Sequence, residues 1–239
     1  LQGIPMMNTM YADKDNILYV YNHLLPVRKE GVNWHEILPG NDSSLIWKDY
    51  LTFSELPQAE NPDSGYLINT NSTPYFATKG QETPKPESFS KTLGIETIVN
   101  NRALRSHELF GSDDSITREE FLAYKFDQAY SKDSYVFKNI IAPLTKSYQA
   151  QSDDEIKALE ILKTWDGKAD MESKGASIIN LIYRSIFKAN HKKTTDVSYP
   201  SIQAEFKNAV VFLKEHFDTV EVPLGQLQRL RRGETDLPL

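Results

Sequence analysis

Near residue 85 the apolar pattern of the chain changes period, and neither an all-strand nor an all-helix fold accommodates both sides of that change. Before it come short runs rich in Tyr, Ile and Val, broken by Asp, Asn, Pro and Gly; after it apolar residues recur three or four apart. Strands and loops first, helices after, is an α+β arrangement. The organisation read from it is a strand-and-loop part over 1–85 and a mainly helical part over 86–239, with the linker-like "KGQETPKPES" at 79–88.

In the first part, Met6 to Ala12 and Ile17 to Tyr21 are predicted as two strands joined by the tight polar turn "DKDN". "LPGNDSS" and "ELPQAENPDSG" read as loops, with "SLIWKDYLTF" between them as a strand or an aromatic-anchored segment. In the second part, "GIETIVNNRALRSHELF" carries Ile95, Ile98, Val99, Leu104 and Leu109 as a helical stripe. Thr117 with Glu120, and Ser152 with Glu155, have the spacing of capping boxes, which satisfy the unpaired amides of a first helical turn. Further helices are predicted over 175–190 and 201–217.

Charge and motif content exclude several functions. A net charge of −6 argues against a general nucleic-acid binder, "RLRRGE" at Arg229 to Glu234 being a local exception. No apolar run approaches the ~20 residues of a membrane span. With no cysteine there is neither a disulfide framework nor a thiolate nucleophile. His23, His35, His107, His191 and His216 show no HExxH or paired spacing and read as surface or packing residues. GxSxG, P-loop and GxGxxG patterns are absent from the sequence. The acidic runs "GSDDS" and "SDDE" read as helix starts rather than calcium loops, because Asp is favoured at the positive end of a helix.

The segments "MNTMYADKDNILYVYNHLLPVR", "LPGNDSSLIW", "ELPQAENPDSGYLINTNSTPYFAT", "TREEFLAYKFDQAYS", "LKTWDGK" and "VPLGQLQRLRRGETDLPL" follow in an order and spacing that resembles the penicillin acylase family, from about Pro5 to Leu239. The resemblance implies part of an N-terminal nucleophile hydrolase αββα sandwich. It also implies part of the large chain of an acylase of penicillins or acyl-homoserine lactones. Such enzymes cut themselves to expose an N-terminal serine whose own α-amine is the base, so no histidine triad is needed.

In this family an asparagine in an N-x-N-[small]-x-P loop donates to the oxyanion; here the loop is "NTNSTP" and the role falls on Asn71. Asn69 and Asn71 share parity, so both are expected on one face of an extended strand, Asn69 bracing the loop. Arg102 takes the place of a family arginine that positions the site, with Arg105 as the fallback. Tyr66, Asn69 and Tyr75 are candidates for substrate contact, and Phe76 and Trp47 for the pocket wall. Glu82 lies where a ligand to a structural calcium is expected; no cofactor is required for the chemistry.

The resemblance further implies the remaining chains of a processed enzyme and a small N-acyl amide as partners, no nucleic acid or membrane span, and a periplasmic or secreted location. The turn "YADKDNI" departs from the family by being one residue shorter and lacking its glycine. The nucleophile is expected upstream of Leu1, which makes the isolated chain inactive. The alternative reading is a noncatalytic module of the same family that binds an acyl or peptide ligand.

Overall fold

The computed structural model describes residues 2–3, 6–191 and 202–238. Two compact units divide the chain, Leu1–Tyr124 and Lys125–Leu239, and the change of period near residue 85 falls inside the first.

In the first unit β1 (Met7–Ala12) and β2 (Ile17–Asn22) pair antiparallel, Met7 opposite Asn22 and Ala12 opposite Ile17. Their turn manages without glycine because Asp13 Oδ1 accepts from the amides of Asp15 and Asn16, at 2.8 and 2.7 Å. A short β3 (Gln58–Glu60) adds to the other edge of β2, Tyr19 opposite Ala59, where the sequence predicted only a loop. "SLIWKDYLTF" forms no strand: it starts inside a turn of 3₁₀ helix at Ser43–Leu45, ends where another begins at Phe53 and touches Pro26 through a single bridge at Tyr50. Asp42 and Thr52 cap those turns and withdraw the amides a strand would have used. Val20, Leu25, Leu56 and Leu93 form the small core, while Met7, Met10 and Tyr11 on β1 are exposed.

The helix predicted from Gly94 starts seven residues later, as α1 (Asn101–Phe110). Gly94 has φ +68 and ends a 3₁₀ turn, and Asn100 accepts from Ala103 N, so the cap fixes the start. Ile98 and Val99 consequently stay exposed. α2 (Arg118–Lys125) follows a complete capping box: Thr117 Oγ1 accepts from Glu120 N, and Glu120 accepts from Thr117 N at 2.8 Å.

The second unit is built on helices. Val136–Ile141 is a π segment, with Ala142 N–H reaching Phe137 O, that runs into α3 (Ala142–Ser147). Pro143 lacks the amide that would close onto Asn139, and the wider turn accommodates it. α4 (Asp153–Thr164) is capped by Ser152; Glu155 is buried and accepts from Gln151 N and Tyr148 Oη. α5 (Lys174–His191) and α6 (Ile202–Phe217) pack their apolar stripes together: Ile178, Ile179 and Ile182 with Phe206, Ala209 and Leu213. Each large side chain so buried contributes about 1.5–3 kcal/mol. Gly175 lets α5 approach the Trp165 indole, since a Cβ there would stand 2.4 Å from Trp165 Cγ. A turn, α7 (Leu224–Leu227), leads to a hairpin of β4 (Arg229–Arg232) and β5 (Thr235–Pro238). The basic "RLRRGE" is therefore half of a hairpin, with Arg229 and Arg231 both paired to Asp236.

Candidate active site

The segment from Tyr66 to Ala77 closes on itself. Ile68 N donates to Ala77 O at 2.8 Å, and Thr78 Oγ1 donates to Tyr66 O at the same distance. At its tip Asn71 has φ 53, left-handed backbone that few residues other than glycine and asparagine adopt. Thr73 then caps a 3₁₀ turn over Pro74–Phe76. The positive φ breaks the extended course expected for this stretch, so Asn69 and Asn71 do not flank one strand residue on a common face. Instead Asn69 Oδ1 accepts from Asn71 N at 3.2 Å and from Asn8 Nδ2 at 3.1 Å, tying the tip to β1.

Helix α1 grips this loop at three points. Asn100, while capping the helix, donates its Nδ2 to Thr70 O at 2.8 Å. Arg102 Nη2 donates to the same carbonyl at 2.7 Å and to Asn71 Oδ1 at 3.2 Å. One helical turn later His107 is buried, its Nε2 3.0 Å from Phe76 O and its Nδ1 2.7 Å from the Tyr66 hydroxyl. A carbonyl can only accept, so Nε2 carries the proton. Desolvation pushes the imidazole below its ordinary value of 6.5, against the opposing bond to Phe76 O; neutral His107 then accepts from Tyr66 at Nδ1.

The Arg102 contact orients Asn71. A guanidinium has donors only, so the end of the amide facing it is oxygen and the outward end is Nδ2. No group among the described residues accepts from that nitrogen, and Asn71 is exposed. Drawing Oδ1 toward a cation also polarises the amide and makes Nδ2–H the stronger donor.

The remaining candidates lie elsewhere. The Tyr66 hydroxyl is engaged by His107, and its ring lines a cavity of about 310 Å³ with Met10, Tyr11 and Ile17, which Asn71 does not line. Tyr75 is half-buried, its ring tilted 6.0 Å from that of Phe89. Phe76 packs edge-on against His107. Trp47 lies against Arg28. Arg105 is paired with Glu108 at 2.5 Å. Glu82 Oε2 is closed off from solvent without a hydrogen-bond partner, and no cluster of three His, Asp or Glu able to hold a metal occurs among the described residues. The His191 side chain lies outside the described residues. The role of His107 had no local signal: its partners are 31 and 41 residues away in sequence.

This chain, with early antiparallel strands followed by helices, is similar in fold to a thermostable penicillin G acylase from Alcaligenes faecalis, at a TM-score of 0.60 and 18% identity over 88% of this chain and 47% of that one. The fold class is thus the α+β fold of that acylase. The penicillin amidase family model matches residues 1–231, and the chain belongs to that family. Penicillin G acylase of Escherichia coli is 26% identical over 192 residues, 76% of this chain and 21% of the relative. The chain therefore spans about a fifth of the length of that relative and about half of the solved structure.

Proposed function

We propose that this chain is part of the large chain of an acylase that hydrolyses the amide bond of an N-acyl substrate of penicillin or acyl-homoserine lactone type, with Asn71 Nδ2 as an oxyanion donor. An N-terminal serine, supplied by the rest of the self-processed protein, attacks the carbonyl carbon. Its hydroxyl proton passes to its own α-amine and then to the leaving amine as the C–N bond breaks; water releases the acid from the ester left behind. Asn71 meets the negative charge that forms on the carbonyl oxygen, and Arg102 holds the amide in the donating orientation before the substrate arrives. Asn69 braces the tip.

The proposal includes the remaining chains as partners and a periplasmic or secreted location. Glu82, with one buried carboxylate oxygen unpartnered, would supply one ligand of a structural calcium, which takes no part in the reaction.

The observation that carries the reading is the Arg102 contact, which leaves a polarised amide N–H directed outward from a strained loop tip. In the whole protein, Asn71→Ala is expected to lower kcat about 10²-fold or more, about 2.7–4 kcal/mol of transition-state stabilisation, with little change in KM. An unchanged kcat with a raised KM would overturn the oxyanion role and favour a plain binding loop.

A further inference from the structure

Away from the Asn71 loop, Arg28 carries a charge that no carboxylate balances. Its guanidinium carbon lies 5.1 Å from the Trp47 ring centre and 5.5 Å from that of Trp34. Nη1 donates to Thr92 O at 2.9 Å, while Nε is shut off from solvent with no acceptor. Indole faces offset part of the cost of burying such a cation, but one carbonyl does not complete a group with five donors. Lys29 donates to Ser44 Oγ at 2.9 Å, and among the described residues neither it, Arg28 nor Lys48 forms a salt bridge. Two of the nearby carboxylates have other work, and the third, Asp49, is itself part of the lining of the adjoining cavity. Asp42 accepts from Ser44 N, Glu30 accepts from Ser90 Oγ, and Asp42 feels Lys29 only as the last of several influences.

These side chains surround a cavity of about 280 Å³ whose charged lining is Arg28, Lys29, Lys48 and Asp49, three cations to one carboxylate in a chain of net charge −6. Trp34 and Trp47 also line it, each with the Arg28 guanidinium over its ring. Local positive charge selects an anion, the indoles favour a planar body over a compact inorganic ion, and the volume lies at the small end for ligand sites.

We propose that this cavity binds a small planar organic carboxylate of about one aromatic ring, its face against an indole and its carboxylate on Lys29 and Lys48. The site is separate from the acylase reading and stands or falls without it.

The test uses the whole protein labelled with 5-fluorotryptophan, the Trp34 and Trp47 resonances being assigned through Trp34→Phe and Trp47→Phe, and titrated with benzoate, benzamide or inorganic phosphate. Benzoate is expected to shift both resonances saturably, with a Kd on the order of 1 mM for so small a ligand. Benzamide, of the same shape without the charge, and phosphate, charged without the plane, are expected to bind about tenfold more weakly. Because Arg28→Met also removes packing, Lys29→Met is the deciding variant, with benzoate weakened about fivefold and the unfolding midpoint unchanged. Lys14→Met, on an exposed side chain outside the cavity lining, serves as the control and leaves binding unaltered. Equal binding of benzoate and benzamide, full benzoate affinity in Lys29→Met, a preference for phosphate, or no shift at either indole would each overturn the proposal.

Discussion

The two units reach order by different means. Lys125–Leu239 has a continuous apolar core running from Val136 to Leu224, drawn from the π segment and α3 to α7. Leu1–Tyr124 has a core of Val20, Leu25, Leu56 and Leu93, and much of it is held by side chains bonded to backbone at turns and caps: Asp13, Asp42, Thr73, Asn100 and His107. Apolar packing is tolerant of direction, whereas a hydrogen bond fixes both distance and angle. The proposed catalytic group stands in the unit ordered by hydrogen bonds, where one amide can be aimed.

Substitutions test that contrast. Phe206→Ala, at the centre of the helical core, is expected to cost about 3–5 kcal/mol in denaturant unfolding, the largest effect here; a loss near zero would remove the distinction between the units. His107→Phe keeps an aromatic ring in place but strands Phe76 O and the Tyr66 hydroxyl, for an expected loss of about 1–3 kcal/mol.

The same residue sets a pH dependence. Its folded value is depressed, so its contribution is complete above 6.5 and declines as pH falls below that, when the unfolded chain takes up a proton that the folded one resists. A stability profile taken from pH 8 to 5 is expected to lose part of its acid slope in His107→Phe. Asn100→Ala is expected to cost about 1 kcal/mol as a lost helix cap, and in the whole enzyme to lower kcat as well, because Thr70 O loses one of its two donors. An Asn100→Ala protein with full kcat would show that Arg102 alone positions the loop.

The smallest effect lies in the helical unit. Glu221 is held at about 2 by its bonds to Lys157 and Lys174, so its share of stability persists above its ordinary 4.5 and is lost only as pH falls from there toward 2. Glu221→Gln is expected to lower the unfolding midpoint by a constant amount above about 4.5 and to remove this group's pH dependence between there and 2. Acid should thus affect the first unit some two pH units before this pair responds.

Features set by neighbours in sequence were legible from it. β1, β2 and the caps at Thr117 and Ser152 depend on residues two to four apart, and they appear where the pattern placed them. β3 was not legible, because three residues made a strand by pairing with β2 carry no period of their own. The π segment and the β4–β5 hairpin were likewise hidden, one by Pro143, the other in a run read for its charge. The pairing of Asn71 with Arg102 was expected only through family resemblance, since nothing within either segment announces a partner 31 residues away. His107 was read as a surface or packing residue. Its burial fitted that reading; its two long-range bonds did not.

Position 71 is filtered twice in any library of substitutions. Its left-handed backbone admits Asn, Gly and Asp with least strain and rejects β-branched side chains, so a screen for soluble expression would retain those three. A screen for turnover is narrower. Glycine keeps the bend and brings no donor, while aspartate keeps the contact with Arg102 but sets a carboxylate where an anion must form. Glutamine carries the right group on a stem one carbon too long. If Asn71 is the oxyanion donor proposed above, asparagine alone among the twenty genetically encoded residues passes both screens, which would make this loop tip a poor starting point for retuning activity and a sharp diagnostic of whether a distant relative keeps that donor.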